Sequence, residues 1–147
     1  MIRPEGMNEI ETAPAPADLS RRAARRLIQR AFVLLGRNKH VRQNLRAVHM
    51  KMMWVLADAD FEWAVILDKG RIEFDRRPVK NPDLTLTWSS THAFFEGARS
   101  GKDQPEAFSI EGRREFHRLA EMLWRAFREE LGNVLRFPFD DDGVRLA

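Results

Sequence analysis

The sequence predicts an α+β domain of two layers, a mainly antiparallel five-stranded sheet covered by helices, and three observations carry that prediction. Residues 19–36 and 114–131 repeat apolar side chains at helical spacing, with polar side chains on the opposite face. Between them lie short runs rich in Val, Ile, Phe and Trp, bounded by Asp, Asn, Pro and Gly, as strands joined by turns require. A chain of 147 residues is long enough for one hydrophobic core, and no internal repeat or second core is visible. Helices grouped around an antiparallel sheet make a two-layer α+β domain.

Residues 1–17 read as a tail, because Pro4, Gly6, Pro14 and Pro16 among small residues leave little to bury. The domain is expected over residues 18–132. Asp18 or Ser20 suits the cap of the first helix. Its apolar face is Ala24, Leu27, Ile28, Ala31, Phe32 and Leu35; Arg21, Arg22, Arg25, Arg26, Gln29 and Arg30 fill the other, and Gly36 is a plausible stop. Residues 37–44 fit either a short helical turn or a loop. Val48, Met50, Met52 and Trp54 then alternate with His49, Lys51 and Met53, the period of a strand. After a turn at Asp58-Ala59-Asp60, Phe61–Leu67 returns with Trp63, Val65 and Leu67 on one side. Asp68-Lys69-Gly70 makes a tight turn into a short strand carrying Ile72 and Phe74.

Pro78, Asn81, Pro82 and Asp83 form a loop before Leu84–Trp88, a strand of β-branched and aromatic residues. Ser89 or Ser90 caps a helix with Ala93, Phe94 and Phe95 that Ser100-Gly101 breaks. Residues 103–107 suit one helical turn, and Phe108–Glu111 a fifth strand ending at Gly112. The last helix, residues 114–131, carries Phe116, Leu119, Ala120, Leu123, Phe127 and Leu131 on one face. Trp124 widens that face, and Gly132 is the expected stop. Residues 133–147 form a partly docked extension in which Phe137 is the residue expected to dock.

Charge is unevenly spread. The chain totals +3, but residues 1–18 hold one Arg against four acidic side chains, and residues 19–57 hold ten Lys/Arg and no acid. Such a block can steer nucleic acid, anionic lipid or an acidic protein. Nucleic acid is the weakest of these, since the block has no aromatic-interleaved platform and no recognisable helix-turn-helix. There is no Cys, which excludes disulfides, thiolate nucleophiles and Cys-based metal sites and fits a reducing compartment. No secretory segment is visible in MIRPEGMNEIETAPAPADLS. Apolar runs such as 31–35 and 52–57 fall far short of the roughly 20 residues that span a bilayer. A soluble cytoplasmic protein is expected, with peripheral contact at a membrane left open.

Catalytic patterns are not apparent, and no enzyme activity, metal or cofactor is expected. His40, His49, His92 and His117 form no HExxH pair or patterned ligand set. Ser89-Ser90-Thr91 lacks the surroundings of a nucleophile elbow and reads as a helix cap. Asp140-Asp141-Asp142-Gly143 lacks the alternating oxygens and closing Glu of a calcium loop and reads as a solvated acidic turn.

Three segments resemble the sterol carrier protein 2 (SCP2)-like lipid-binding domains. They are FEWAVILDKG at 61–70, NPDLTLTWSSTHAFFEG at 81–97 and GKDQPEAFSIEGRREFHRLAEML at 101–123. The resemblance covers roughly residues 45–131 and rests on their order and spacing. Two features depart from the family pattern: Phe108 runs directly into Ser109-Ile110-Glu111-Gly112, and Arg113 stands where an acidic residue is common. The resemblance implies an SCP2-like fold and carriage of a sterol, fatty acyl lipid or isoprenoid quinone intermediate in an apolar cavity. Some bacterial members of the family that it resembles look like accessory proteins of ubiquinone synthesis, which makes that narrower role an expectation here.

Ten Phe, four Trp and six Met, with no Tyr, can line a cavity without stranding many polar groups. Composition alone favours a solid core, and the resemblance turns the reading toward a cavity. Its expected lining is Phe32, Leu35, Met50, Met52, Trp54, Trp63, Val65, Phe94, Phe95, Phe108, Phe116, Leu119 and Leu123. Arg21, Arg22, Arg25, Arg26 and Arg30 are the expected membrane or partner contacts, on a helix whose apolar stripe either packs on the domain or meets an anionic surface. The rival reading is a scaffold or accessory protein-interaction module without bound lipid.

Overall fold

A computed structural model describes residues 20–102, 105–137, 139 and 143–145. The N-terminal tail and the Asp140–Asp142 turn expected from the sequence lie outside the described residues. Three helix starts are fixed by side-chain caps. Ser20 Oγ accepts from the Ala23 N–H and opens α1 (Arg21–Gly36), and Asn38 Oδ1 accepts from Val41 and opens α2 (Lys39–Asn44). The ambiguous 37–44 segment is thus resolved by its own Asn. Ser90 Oγ accepts from Ala93 at the start of α3 (Thr91–Ser100), which ends at Gly101.

The strands are β1 (His49–Leu56), β2 (Phe61–Asp68), β3 (Arg71–Asp75), β4 (Leu84–Trp88) and β5 (Phe108–Gly112), arranged β3-β2-β1-β4-β5. All neighbours are antiparallel except β1 and β4, which run parallel. Lys69 and Gly70 both take positive φ (53° and 88°), the turn geometry that joins β2 to β3 with matching twist.

The register puts the apolar set on one face. Met50 faces Leu67, Met52 faces Val65, Trp54 faces Trp63 and Leu56 faces Phe61. Leu84, Leu86 and Trp88 of β4 continue the same face beside Met52, Trp54 and Leu56. Of the alternate positions, Lys51, Val55, Glu62, Ile66, Glu73, Thr85 and Thr87 are half-buried or exposed, so most of the other face meets solvent, while the paired Met53 and Ala64 are buried. The apolar face is covered by α1, α3 and α4 (His117–Leu135), with α4 packed against both of the others. The apolar stripe of α1 is buried from Ala23 to Leu35 and therefore packs on the domain.

Two sequence expectations are corrected. Gly132 does not end the last helix, which enters through a 3-10 turn at Arg114–Phe116 and continues to Leu135. A Cβ at Gly132 would lie 2.7 Å from the Ala98 carbonyl oxygen, so this glycine serves the close approach of α4 to α3. Phe137 does not dock. It is 45% exposed, beneath the Arg145 guanidinium at 4.1 Å, while Phe139 is buried in the core. α4 continues a further turn, to Leu135, before Phe137. No helix among the described residues is long and apolar enough to cross a membrane.

Candidate ligand-binding site

Between sheet and helices the side chains form one aromatic cluster. Trp54, at the middle of β1, lies 5.3 Å from Trp88, 5.2 Å from Phe32 and Phe127, and 6.1 Å from Trp63 and Trp124, ring centre to ring centre. Phe94 of α3 meets Trp88 edge-on at 4.9 Å and Trp63 at 5.8 Å. Such offset and edge-on pairs are the favoured arrangements of aromatic rings, and each adds about 0.5–1.5 kcal/mol beyond burial.

Of the predicted lining, Phe32, Leu35, Met50, Met52, Trp54, Trp63, Val65, Phe94, Phe95 and Leu123 come together in this buried cluster. Phe108, Phe116 and Leu119 are only half-buried and stand at its margin. Phe108 stacks on Trp88 at 4.9 Å, and Phe116 sits under the Arg113 guanidinium at 5.1 Å. Sequence reasoning left Trp88, Trp124 and Phe127 out of the site, although they are central to it. Their place on the LTLTW strand and on the apolar face of the last helix was the available signal.

The cluster contains two polar atoms of note. The indole N–H groups of Trp54 and Trp63 are buried and have no hydrogen-bond acceptor among the described residues. A buried donor left unpaired costs about 1–3 kcal/mol, so two of them on facing strand positions are a costly feature of an otherwise apolar interior.

The predicted contact arginines are dispersed. Arg21 donates to the Ala59 carbonyl at 2.7 Å, and Arg30 donates to the Gly143 carbonyl at 3.0 Å, so both are tied down within the chain. Arg22, Arg25 and Arg26 line a cleft of about 810 Å³ with Gln29, Phe74, Asp75, Arg76 and Arg77. The contribution of Arg76 and Arg77 was missed because the sequence reads them as the end of a short strand and the residue just beyond it, where both look like ordinary surface charges. Within the cleft, the Arg77 backbone N–H and then its guanidinium hold the Asp75 carboxyl below the usual carboxylate range. A smaller basic recess of about 310 Å³ is lined by Lys39, Arg42, Gln43, Arg46, Lys69 and Gly70.

His49 Nδ1 lies 2.9 Å from Asp68 Oδ1 at an exposed position, and His117 Nε2 lies 3.2 Å from the Gly112 carbonyl. Among the described residues no group of three or more His, Cys, Asp or Glu could hold a metal ion.

No protein-family model matches the chain, and no curated protein matches it in sequence. Solved structures match it in fold. The conserved hypothetical protein TT1886 from Thermus thermophilus, for which a sterol-carrier role has been suggested, aligns over 84% of this chain and 94% of its own. The identity is 11% and the TM-score 0.53. Sterol carrier protein 2 aligns over 71% of this chain and 95% of its own, at 14% identity and TM-score 0.50. The stereoselective inverting sec-alkylsulfatase Pisa1 from Pseudomonas sp. aligns at 17% identity and TM-score 0.45. That alignment covers 56% of this chain but only 13% of the sulfatase. The chain shares the α+β fold of the SCP2-like domains.

Proposed function

We propose that the protein binds and carries a hydrophobic ligand between its sheet and its helices, with no chemistry of its own, and that an oxygen of the ligand accepts from Trp54 or Trp63. The observation that carries this reading is the pair of unpartnered indole N–H groups inside an otherwise apolar cluster. A sterol hydroxyl, a fatty acyl carbonyl or carboxylate, and an isoprenoid quinone carbonyl each supply the missing acceptor. The fold shared with sterol carrier protein 2 supports the same reading. Met50 and Met52, unbranched and adaptable, lie on the sheet beneath the rings and suit a ligand that enters by parting them.

A second reading is favoured by the continuity of the ring contacts. In it the interior is a solid core and the domain is a scaffold that docks another protein. Titration with dodecanol and with dodecane, followed by tryptophan emission, separates the two. Under the carrier reading dodecanol saturates, and Trp54→Phe/Trp63→Phe lowers its advantage over dodecane by roughly two- to tenfold, the worth of a hydrogen bond. Organic extract of natively purified protein then contains co-purified lipid by mass spectrometry. No saturation, together with a lipid-free extract, establishes the solid core.

A further inference from the structure

We propose that the arginine cleft between α1 and the end of β3 binds a phosphate or diphosphate group, the head of a ligand whose apolar part reaches the aromatic interior. The inference rests on the carrier reading for the tail, whereas the cleft itself rests on separate observations.

Among the described residues the cleft gathers five guanidinium groups and one carboxylate, and that carboxylate is already engaged by Arg77. Arg22, Arg25, Arg26 and Gln29 follow one another at helical spacing, so α1 presents a row of donors to one wall. The opposite wall is the short segment Asp75-Arg76-Arg77. Convergent guanidiniums suit phosphate oxygens, which they bind through paired, charge-assisted hydrogen bonds. A space of about 810 Å³ accommodates more than one phosphate unit.

Two further features point to a ligand. Arg25, which lines the cleft, has a buried Nε without a hydrogen-bond partner among the described residues. Its guanidinium rests over the Phe61 ring at 5.6 Å, which limits the orientations it can adopt. Phe74 connects the cleft to the interior. It lines the cleft, and its ring lies 5.6 Å from Phe32 and 6.2 Å from Trp63. A head group in the cleft therefore places an attached chain against Phe74, whose ring lies 6.2 Å from that of Trp63, one of the two tryptophans with an unpaired N–H. Among the described residues the smaller recess near Gly70 has no aromatic side chain in its lining, and so offers charge without a route to the core.

The test compares dodecyl phosphate, dodecanol and inorganic diphosphate by calorimetry on the full chain. Dodecyl phosphate is expected to bind roughly tenfold or more tightly than dodecanol, the effect of one or more charge-assisted contacts, and the gap should narrow with added salt. Arg26→Gln/Arg76→Gln, both at exposed positions, should erase most of that gap and leave dodecanol binding unchanged. Arg25→Gln, checked for an unaltered melting curve, should do the same.

Dodecanol binding without a gap, or a gap insensitive to these substitutions, overturns the cleft proposal and leaves the carrier reading intact. Saturable diphosphate binding lost in Arg26→Gln/Arg76→Gln, with neither dodecyl compound bound, sinks the carrier reading and keeps the cleft as an anion site. Absence of binding by all three overturns both. Sedimentation with phosphatidic acid vesicles identifies the source of the phosphate. Pelleting abolished by free diphosphate and by the double substitution assigns a headgroup within a bilayer; no pelleting, with dodecyl phosphate bound, assigns a single extracted molecule.

Discussion

Asp83 and Lys51 are joined in both directions. The Asp83 N–H donates to the Lys51 carbonyl at 2.7 Å, and the Lys51 N–H donates to the Asp83 carboxylate at 2.9 Å. The pairing sits at the entry to the parallel β1–β4 ladder, whose first rung is Met52 with Leu84. The Asp83 carbonyl also accepts from the Arg113 N–H at 3.0 Å, just beyond the end of β5. One residue thus links three strands of the sheet, with Pro82 fixing the backbone direction on the way in.

Asp83→Ala is expected to cost about 1–3 kcal/mol, since it leaves the Lys51 N–H without its carboxylate partner at the start of the ladder. Asp83→Asn keeps an acceptor and should cost less. Denaturant melts of the two variants against wild type measure the difference, and equal costs would show that the carboxylate acts only through charge.

Gly132→Ala tests the close approach of α4 to α3. Helix propensity alone favours Ala by up to about 1 kcal/mol. Contact with the Ala98 carbonyl should outweigh that, for a net loss of about 1–3 kcal/mol as in other overpacked interiors. A stabilised variant in thermal melts would mean that the glycine is incidental.

The same glycine shows what the sequence could and could not convey. Strand limits at Leu84–Trp88 and Phe108–Gly112, and the face of the first helix, follow from local chemistry: alternation, caps and turn residues. A glycine near the end of an apolar helical run signals a stop by the same local rules. It signals instead a helix–helix contact when a backbone 34 residues away occupies the space, and nothing nearby in the sequence reports that. Phe137, expected to dock, is exposed, whereas Phe139 of the same apolar extension is buried. The apolar interior was legible because burial of Trp and Phe is patterned. The arginine cleft was only half legible, because Arg76 and Arg77 join Arg22, Arg25 and Arg26 through tertiary packing of α1 on β3.

Acid should weaken the fold through two surface carboxylates. Asp75 is held below the usual range by the Arg77 N–H and guanidinium, and Glu115 by its own backbone N–H and then by the Arg113 guanidinium at 2.8 Å. A carboxylate depressed in the folded state adds stability above its unfolded pKa, and loses it as pH falls through the folded one. Stability should therefore decline from the ordinary carboxylate range downward. Asp75→Asn and Glu115→Gln should each flatten that decline by removing the contribution at neutral pH, so that each variant is slightly less stable there and converges with wild type in acid. Urea midpoints across the acid range measure it, and parallel curves for wild type and both variants would remove these two groups as the source.

Phe74 is the wall between the charged cleft and the tryptophans, and its removal should be readable in their fluorescence. The ring is half-buried, so Phe74→Ala should cost less than the roughly 3–5 kcal/mol typical of a fully buried Phe. In wild type, Trp54, Trp63 and Trp88 are almost wholly buried, and quenchers should reach them poorly. Opening the wall should admit acrylamide to Trp63, 6.2 Å behind the ring. Iodide should gain more than caesium, because the arginines concentrate an anion and repel a cation at the opening, and added inert salt should shrink that asymmetry. Equal gains for both ions would mean that the new access lies elsewhere. No gain, in a variant with a normal circular dichroism spectrum, would show that Phe32 closes over the space and that Phe74 does not guard it.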